Sequence, residues 1–338
     1  MILSICIPSF NRPETLHRLL SSINEKCSAD IEIVICEDCS PKRNEIRKVV
    51  NDFKEKSHLD VKYFENPTNY GFDKNLRELI KLAEGEFIVY MGDDDYFVKE
   101  NLKDYISFLK TNPTTGYILK TWVNLHENGW QEPFNYFQGR KLFAPGPSTF
   151  VTLFRISTFV SGFTFKREYS LPYLIHNFDG TLLFQLYILG ELTLKYPSIF
   201  FEIPLTIQTK QKVDIPYFGS SAAEKDLFTP GKITIKNSIN FLNGYFKISE
   251  YLDSKYDIET TKLIKKDMTK YSYSYLSLHR DKGIKEFYRF YCMLKQEVGL
   301  NKAFHINLYF IALMFLGVKN CDRLIFTIKK LLKKTPTF

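Results

Sequence analysis

Three consecutive aspartates, Asp93-Asp94-Asp95, carry the sharpest chemical signal in the sequence. Adjacent carboxylates repel one another and cost stability unless something cationic neutralises them. Side chains of neighbouring residues diverge, so only one or two can ligate the same ion. The rest are left for substrate hydroxyls, metal-bound water or a helix cap. Oxygen ligands suit Mg2+ or Mn2+, and an ion held by one or two protein carboxylates keeps open positions for the oxygens of a diphosphate. The plainer reading is a solvated acidic turn that N-caps a helix beginning near residue 99. A further carboxylate, Asp38, can accept a hydrogen bond from a base or ribose. Phe10 can stack on a base and Arg12 can pair with phosphate. Equally, Asp38 can be a capping residue and Arg12 a surface cation. Cys36 and Cys39 have the spacing of half a zinc site, but no second Cys/His pair at metal spacing accompanies them.

These residues need elements that bring them together. Residues 2–7 form a continuous apolar run ended by Pro8, which reads as a buried strand. Pro13 then opens a helix with Leu16, Leu19, Leu20 and Ile23 at helical spacing. The pattern repeats: an apolar run at 31–36, a charged helical stretch at 43–57, and a third strand at 61–64. Next come an amphipathic helix opened by Gly71 and a fourth strand at 86–91, ending on Gly92 and the three Asp. Such alternation predicts a mostly parallel sheet covered by helices on both faces, an α/β Rossmann-like architecture. Sheets of that kind bind ligands outside the carboxyl ends of their strands, here residues 8–12, 37–40, 65–69 and 92–95. Further on, the sequence predicts a helix at about 99–110, strands at 116–123, 161–166 and 192–203, and a helical run at 181–189. Gly139, Pro145, Gly146 and Pro147 mark a loop at 139–148, a lid or a plain connection. Residues 233–338 read mainly as amphipathic helices. The expected division is therefore 1–215 and 216–338, with a boundary near 215–230 where Pro216, Gly219, Ser220, Ser221, Pro230 and Gly231 cluster.

The 338 residues are 44% apolar and 25% charged, which excludes disordered and collagen-like classes. The formal charge of +8 is uneven: residues 1–220 carry a net −2 and residues 221–338 a net +10. A uniformly basic nucleic-acid protein is excluded by that split. Residues 324, 325, 328, 331 and 332 place apolar side chains on one helical face, with Lys329, Lys330, Lys333 and Lys334 on the other. A basic amphipathic helix suits an anionic membrane surface; the alternative is a helical subdomain with a solvated Lys face. The apolar stretch 304–318 is interrupted by His305 and Asn307 and falls short of the about 18 residues a spanning helix needs. With six scattered Cys and no charged segment before the first strand, the expectation is a cytosolic protein with reduced thiols.

Four segments in order, Ser4-Ile-Cys-Ile-Pro-Ser-Phe-Asn-Arg-Pro13, Ile33-Val-Ile-Cys-Glu-Asp-Cys-Ser40, Asn69-Tyr-Gly-Phe-Asp-Lys-Asn75 and Glu84-Gly-Glu-Phe-Ile-Val-Tyr-Met-Gly-Asp-Asp-Asp95, make the chain resemble glycosyltransferase family 2, whose members have the GT-A fold. The resemblance is strong over 2–110, weak over 111–205, and does not reach 216–338. It implies nucleoside contacts at Pro8, Phe10 and Arg12, with Phe10 standing where Tyr is common. Glu37-Asp38-Cys39-Ser40 matches the family's Asp-Asp-x-Ser, so Asp38 takes the position that binds the uracil edge in users of UDP-sugars. Asn75 falls beside the nucleotide. Asp94 becomes the metal-binding carboxylate of a variant Asp-x-Asp motif whose first position is Gly92. Asp93 and Asp95 assist through sugar hydroxyls or at the metal.

The implied chemistry is an inverting transfer that depends on Mn2+ or Mg2+. A carboxylate takes the acceptor hydroxyl's proton while the metal stabilises the leaving diphosphate. Asp179, in His176-Asn-Phe-Asp-Gly180, is the expected base, followed by Glu168 and Glu191; its alternative role is to N-cap the helical run behind it. His176 and His126 read as structural. The expected acceptor is a glycan or a polyprenyl-diphosphate-linked sugar in surface-polysaccharide synthesis, at the inner face of the cytoplasmic membrane. Competing readings are a nucleotidyltransferase, against which the glycine-free Pro8-Ser-Phe-Asn-Arg12 loop argues, and a non-catalytic nucleotide-sugar-binding protein of the same fold.

Overall fold

The structure is a computed structural model that describes residues 1–23, 29–126, 129–209, 218–300 and 304–331. Cys27, Pro216, Lys333 and Lys334 therefore lie outside the described residues.

The first ninety residues alternate as the apolar runs require. β1 (Leu3–Ser9), α1 (Pro13–Ser22), β2 (Ile31–Glu37), α2 (Arg43–Lys54), β3 (Asp60–Glu65), α3 (Phe72–Leu82) and β4 (Phe87–Tyr90) follow in order. β2 and β4 are buried along their whole length, the signature of parallel strands covered on both faces. β1 pairs in parallel with both β2 and β4, and β2 with β3. The chain continues through β5 (Tyr96–Phe97), α4 (Asn101–Thr111), β6 (Tyr117–Leu125), β7 (Gln131–Phe134), β8 (Lys141–Phe143) and α5 (Pro147–Phe154). Then come β9 (Phe163–Lys166), α6 (Arg167–Ser170), α7 (Phe184–Lys195) and β10 (Ser198–Thr209). The sheet order is β3-β2-β1-β4-β9-β6-β10-β5. β9 runs antiparallel to both neighbours, so the sheet is mixed. Among the described residues five helices follow: α8 (Ile235–Tyr256), α9 (Thr261–Lys270), α10 (Tyr273–Arg280), α11 (Ile284–Gln296) and α12 (Phe304–Leu331), the last broken at Gly317.

Two sequence expectations are corrected. The strand expected at 192–203 begins only at Ser198, because α7 runs on to Lys195. α7 is buried on nearly every side, so it lacks the polar stripe that separates a helix from an apolar strand in sequence. The loop at 139–148 is neither lid nor plain connection. It holds β8, which pairs with β10, and the start of α5.

Two apolar clusters cover the two faces of the sheet. One packs α1, α2 and α4 against Leu3, Ile5 and Ile7 of β1. The other starts at α3, α5 and α7 and continues without interruption into α8–α11 and the first half of α12. The expected boundary near 215–230 falls partly on residues 210–217, outside the described residues, and packing does not divide there. Gly190 of α7 shows how close the union is: a Cβ on it would lie 2.3 Å from Leu252 Cδ1 of α8. Alanine at 190 would gain up to about 1 kcal/mol of helix propensity, yet overpacking costs about 1–3 kcal/mol. Gly190→Ala should therefore lower stability by up to about 2 kcal/mol. Calorimetry should still find one unfolding transition, since the sheet and the helical region share this core.

Candidate active site

The carboxyl ends of β1, β2 and β4 open onto a cavity of about 810 Å3. Pro8, Phe10, Arg12, Asp38, Asn75 and Asp93 all line it, so the six residues expected around the nucleotide share one wall. Ser9 lies among them, and its buried hydroxyl has no protein partner.

At the end of β4 the three aspartates diverge. Asp93 is buried and accepts the Phe10 N–H at 3.2 Å and Arg12 Nη1 at 3.0 Å. Burial pushes its carboxyl up to about 6, against the pull of Arg12. Arg12 Nη1 is also 3.0 Å from Asp94, whose side chain is 32% exposed. Asp95 turns inward and accepts the Ser161 hydroxyl at 2.5 Å. Behind it the buried Lys120 lies 4.3 Å from the Trp122 ring centre and 4.0 Å from that of Phe159. Burial holds this amine well below its usual range, while the charge of Asp95 opposes that shift. Among the described residues no three His, Cys, Asp or Glu side chains converge to cage an ion. Asp94, the one partly exposed carboxylate of the three, is the member whose chemistry would suit an Mg2+ or Mn2+ ion completed by phosphate oxygens.

At the end of β2, Asp38 locks three chain segments. Its carboxylate accepts Asn66 Nδ2 at 2.8 Å and the N–H groups of Tyr70 at 2.8 Å and Gly71 at 2.9 Å. Burial raises it to about 6, and nearby Glu224 adds to the rise. Asn66 also donates to Asn75 Oδ1, and Asn75 donates to the Cys36 carbonyl. Glu37 points elsewhere: it accepts Cys39 N–H, Ser40 N–H and Arg43 Nε, stapling the turn after β2. Asn11 and Cys39, just past β1 and β2, have φ of 65° and 55°. Backbone held there in non-glycine residues costs of order 1 kcal/mol or more and clusters at working sites.

The opposite wall comes from residues that the sequence did not mark. Phe228, Ile233, Phe241, Leu242, Tyr245 and Met268 make it largely apolar and aromatic. Glu224 fastens this wall to α3 by accepting the N–H groups of Phe72 and Gly219, each at 2.8 Å. Gly71 permits the approach: its φ is 79°, and a Cβ there would sit 2.4 Å from Ser221 Oγ. Glu224, one of two acids in the run 220–228, has no spacing that would single it out; only its contact with α3 does.

The base candidates are placed elsewhere. Asp179 does not line the cavity; both its oxygens meet Arg77, one at 2.8 Å from Nη2, and Arg77 is fully buried. Asp179 does not cap α7 either. That part falls to Asp73, which accepts the N–H groups of Leu182 and Phe184 at 2.8 Å each and is pushed up to about 7 by burial. Glu191 is buried between Lys255 and Tyr256, and Glu168 is exposed on α6. His176 contacts Arg77, and His126 stacks on Trp130. Removing one member of a buried ion pair strands the other, at about 3 kcal/mol or more when both are buried. Asp179 is only half-buried, its side chain 23% exposed, so Asp179→Ala should lose less than that, about 1–3 kcal/mol of stability in urea unfolding.

Residues 4–180, more than half of the chain, match the family described as Glycosyl transferase family 2. The abequosyltransferase RfbV of Salmonella typhimurium is 36% identical over 104 residues, 30% of this chain and 31% of its own length. A GalNAc(5)-diNAcBac-PP-undecaprenol beta-1,3-glucosyltransferase of Campylobacter jejuni is 32% identical over 117 residues, 34% of this chain and 35% of its own. The chain thus spans about a third of the length of these curated relatives. The crystal structure of S. aureus TarS 1-349 in complex with UDP-GlcNAc superposes with a TM-score of 0.62 at 18% identity, covering 89% of this chain and 81% of that one, a likeness of fold. With its ordered motifs on the ends of one sheet and the family match running to residue 180, the chain belongs to glycosyltransferase family 2 and has the GT-A fold.

Proposed function

We propose that the protein is an inverting glycosyltransferase that moves one sugar from a UDP-linked donor to a lipid-linked or oligosaccharide acceptor in bacterial surface-polysaccharide synthesis. One observation carries the reading: a single cavity joins Pro8, Phe10, Arg12, Asp38, Asn75 and Asp93 to the aromatic wall of α8–α10. A polar end for a nucleotide and an apolar, aromatic end for a glycan face each other within it. Stacking on sugar faces and burial of apolar groups are what aromatic walls offer. The undecaprenol-linked substrate in the name of the C. jejuni relative supports the lipid-linked class.

In this reading Phe10 and Pro8 hold the nucleoside. Asp38 has about four lone-pair sites, and three protein donors use three of them, which leaves one for the uracil N–H. The acceptor hydroxyl's oxygen attacks the anomeric carbon as the bond to the diphosphate breaks, inverting that centre; the electron pair of the broken bond leaves on the diphosphate and the hydroxyl's proton is released to solvent. Asp94 would hold a divalent ion, which would supply charge stabilisation to the leaving diphosphate. Arg12 adds a fixed positive charge at the same place, oriented by Asp93. Asp179 is left out of this assignment because its carboxylate neutralises Arg77.

A thermal-shift panel of UDP-, GDP-, CDP- and dTDP-sugars with Mn2+ tests the donor. UDP-sugars should stabilise the protein, and Asp94→Ala should abolish the Mn2+-dependent part of that shift; stabilisation by another base alone would overturn the UDP assignment. The Asp38 contact has a pH signature. Above about pH 6 Asp38 is ionised and accepts through both oxygens, whereas the protonated form turns one of them into a donor. Asp93 titrates in the same range with the opposite sign, because losing its charge favours a diphosphate. The comparison with Asp38→Asn cancels that second effect. By calorimetry, wild type should bind UDP about tenfold more tightly than Asp38→Asn at pH 8, and the difference should vanish by pH 5.

A further inference from the structure

The first half of α12 is apolar on two opposite faces, and only one is used. Ile306 and Leu313 are fully buried in the helical core, and Phe310 stacks on Tyr291 with ring centres 3.8 Å apart. On the other side Phe304, Leu308, Ile311 and Phe315 are 71%, 47%, 54% and 82% exposed. Their spacing of four, three and four residues puts them in one stripe along the helix. No Asp, Glu, Lys or Arg occurs in residues 304–318. Past the break at Gly317, Leu324, Ile328 and Leu331 repeat the pattern and are again exposed, now with Lys319 and Arg323 in the same segment. A contiguous row of large apolar side chains in water marks an interaction surface.

We propose that this face of α12 docks the protein on an anionic membrane leaflet, lying in the headgroup region. Charge decides between a bilayer and a second copy of the chain. The stripe would also suit a helix–helix seam. Residues 301–338, however, carry a net +6, and their one acid, Asp322, is engaged by the Tyr273 hydroxyl at 2.5 Å. Two copies laid side by side on this seam bring two such segments together and repel. An anionic surface turns the same charge into attraction and takes the apolar stripe as well. Among the described residues no helix is long and apolar enough to cross a membrane, so the helix lies on the surface. The proposal rests on α12 alone and not on the identity of donor or acceptor.

Co-sedimentation of the full chain with vesicles tests it. Wild type should bind vesicles of equal parts phosphatidylcholine and phosphatidylglycerol, and bind pure phosphatidylcholine more weakly. Replacing Phe304, Leu308, Ile311 and Phe315 together by Ser should weaken binding at least about tenfold, even at low salt, with thermal stability and UDP binding unchanged. Lys319→Glu with Arg323→Glu should remove only the salt-sensitive part. Should the fourfold variant fold poorly, Phe315→Ser alone, the most exposed of the four, should still reduce vesicle binding severalfold. Undiminished binding by these variants overturns the proposal. So does a vesicle-free dimer of the wild type, seen by analytical ultracentrifugation, that the Ser substitutions dissolve; the stripe would then be a self-association seam.

Discussion

Arg12 stands between Asp93 and Asp94, 3.0 Å from each, and makes a triple acid at a strand end tolerable. Three ionised carboxylates at one strand end cannot all be buried bare. Each has its own answer here: Asp93 has Arg12 and the Phe10 N–H, Asp94 has Arg12 and partial exposure, and Asp95 has Ser161 with Lys120 behind it. The arrangement depends on register. β1 and β4 pair in parallel with Cys6 opposite Tyr90, so the segments three to six residues later meet at the same edge. β9 returns antiparallel with Phe163 opposite Tyr90, which sets Ser161 beside Asp95.

The second half of the site hangs on the start of α3. Asp38 reaches it from β2, Glu224 from the segment before α8, and Asp73 reaches outward from α3 to the turn before α7. Each carboxylate satisfies backbone N–H groups that would otherwise be buried without partners. Asp38 and Asp73 are both raised by burial, so hydrogen bonding offsets desolvation only in part. The fastening is nevertheless what makes α8–α10 a wall of the cavity rather than an appendage.

Local order made the first part of this legible from sequence. Strands buried on both faces read as continuous apolar runs, and the residues just past them are known once the runs are known. That is why Phe10, Arg12, Asp38 and Asp93 could be placed on one site before any geometry. Pairing over distance is a different matter. Arg77 lies 102 residues from Asp179, and Glu224 lies 152 from Phe72. Periodicity says nothing about either partner, so Asp179 read as a free carboxylate and Glu224 did not read at all. α7 failed for another reason: burial on nearly every side erased the period that would have shown where it ends.

The charge split of the sequence acquires a physical meaning from the same geometry. Arg12 and hydrogen bonds from Phe10 and Ser161 meet the carboxylates of the acidic site. The apolar run at 304–318 presents two opposite faces, one buried and one exposed. Ile306 and Leu313 belong to the core that continues into the sheet domain, while Phe304, Leu308, Ile311 and Phe315 face away from it. A helix anchored by one face cannot retract the other. The exposed stripe is therefore fixed in place by the packing that holds the cavity's second wall, and whatever surface the stripe meets is held at a set distance from the site.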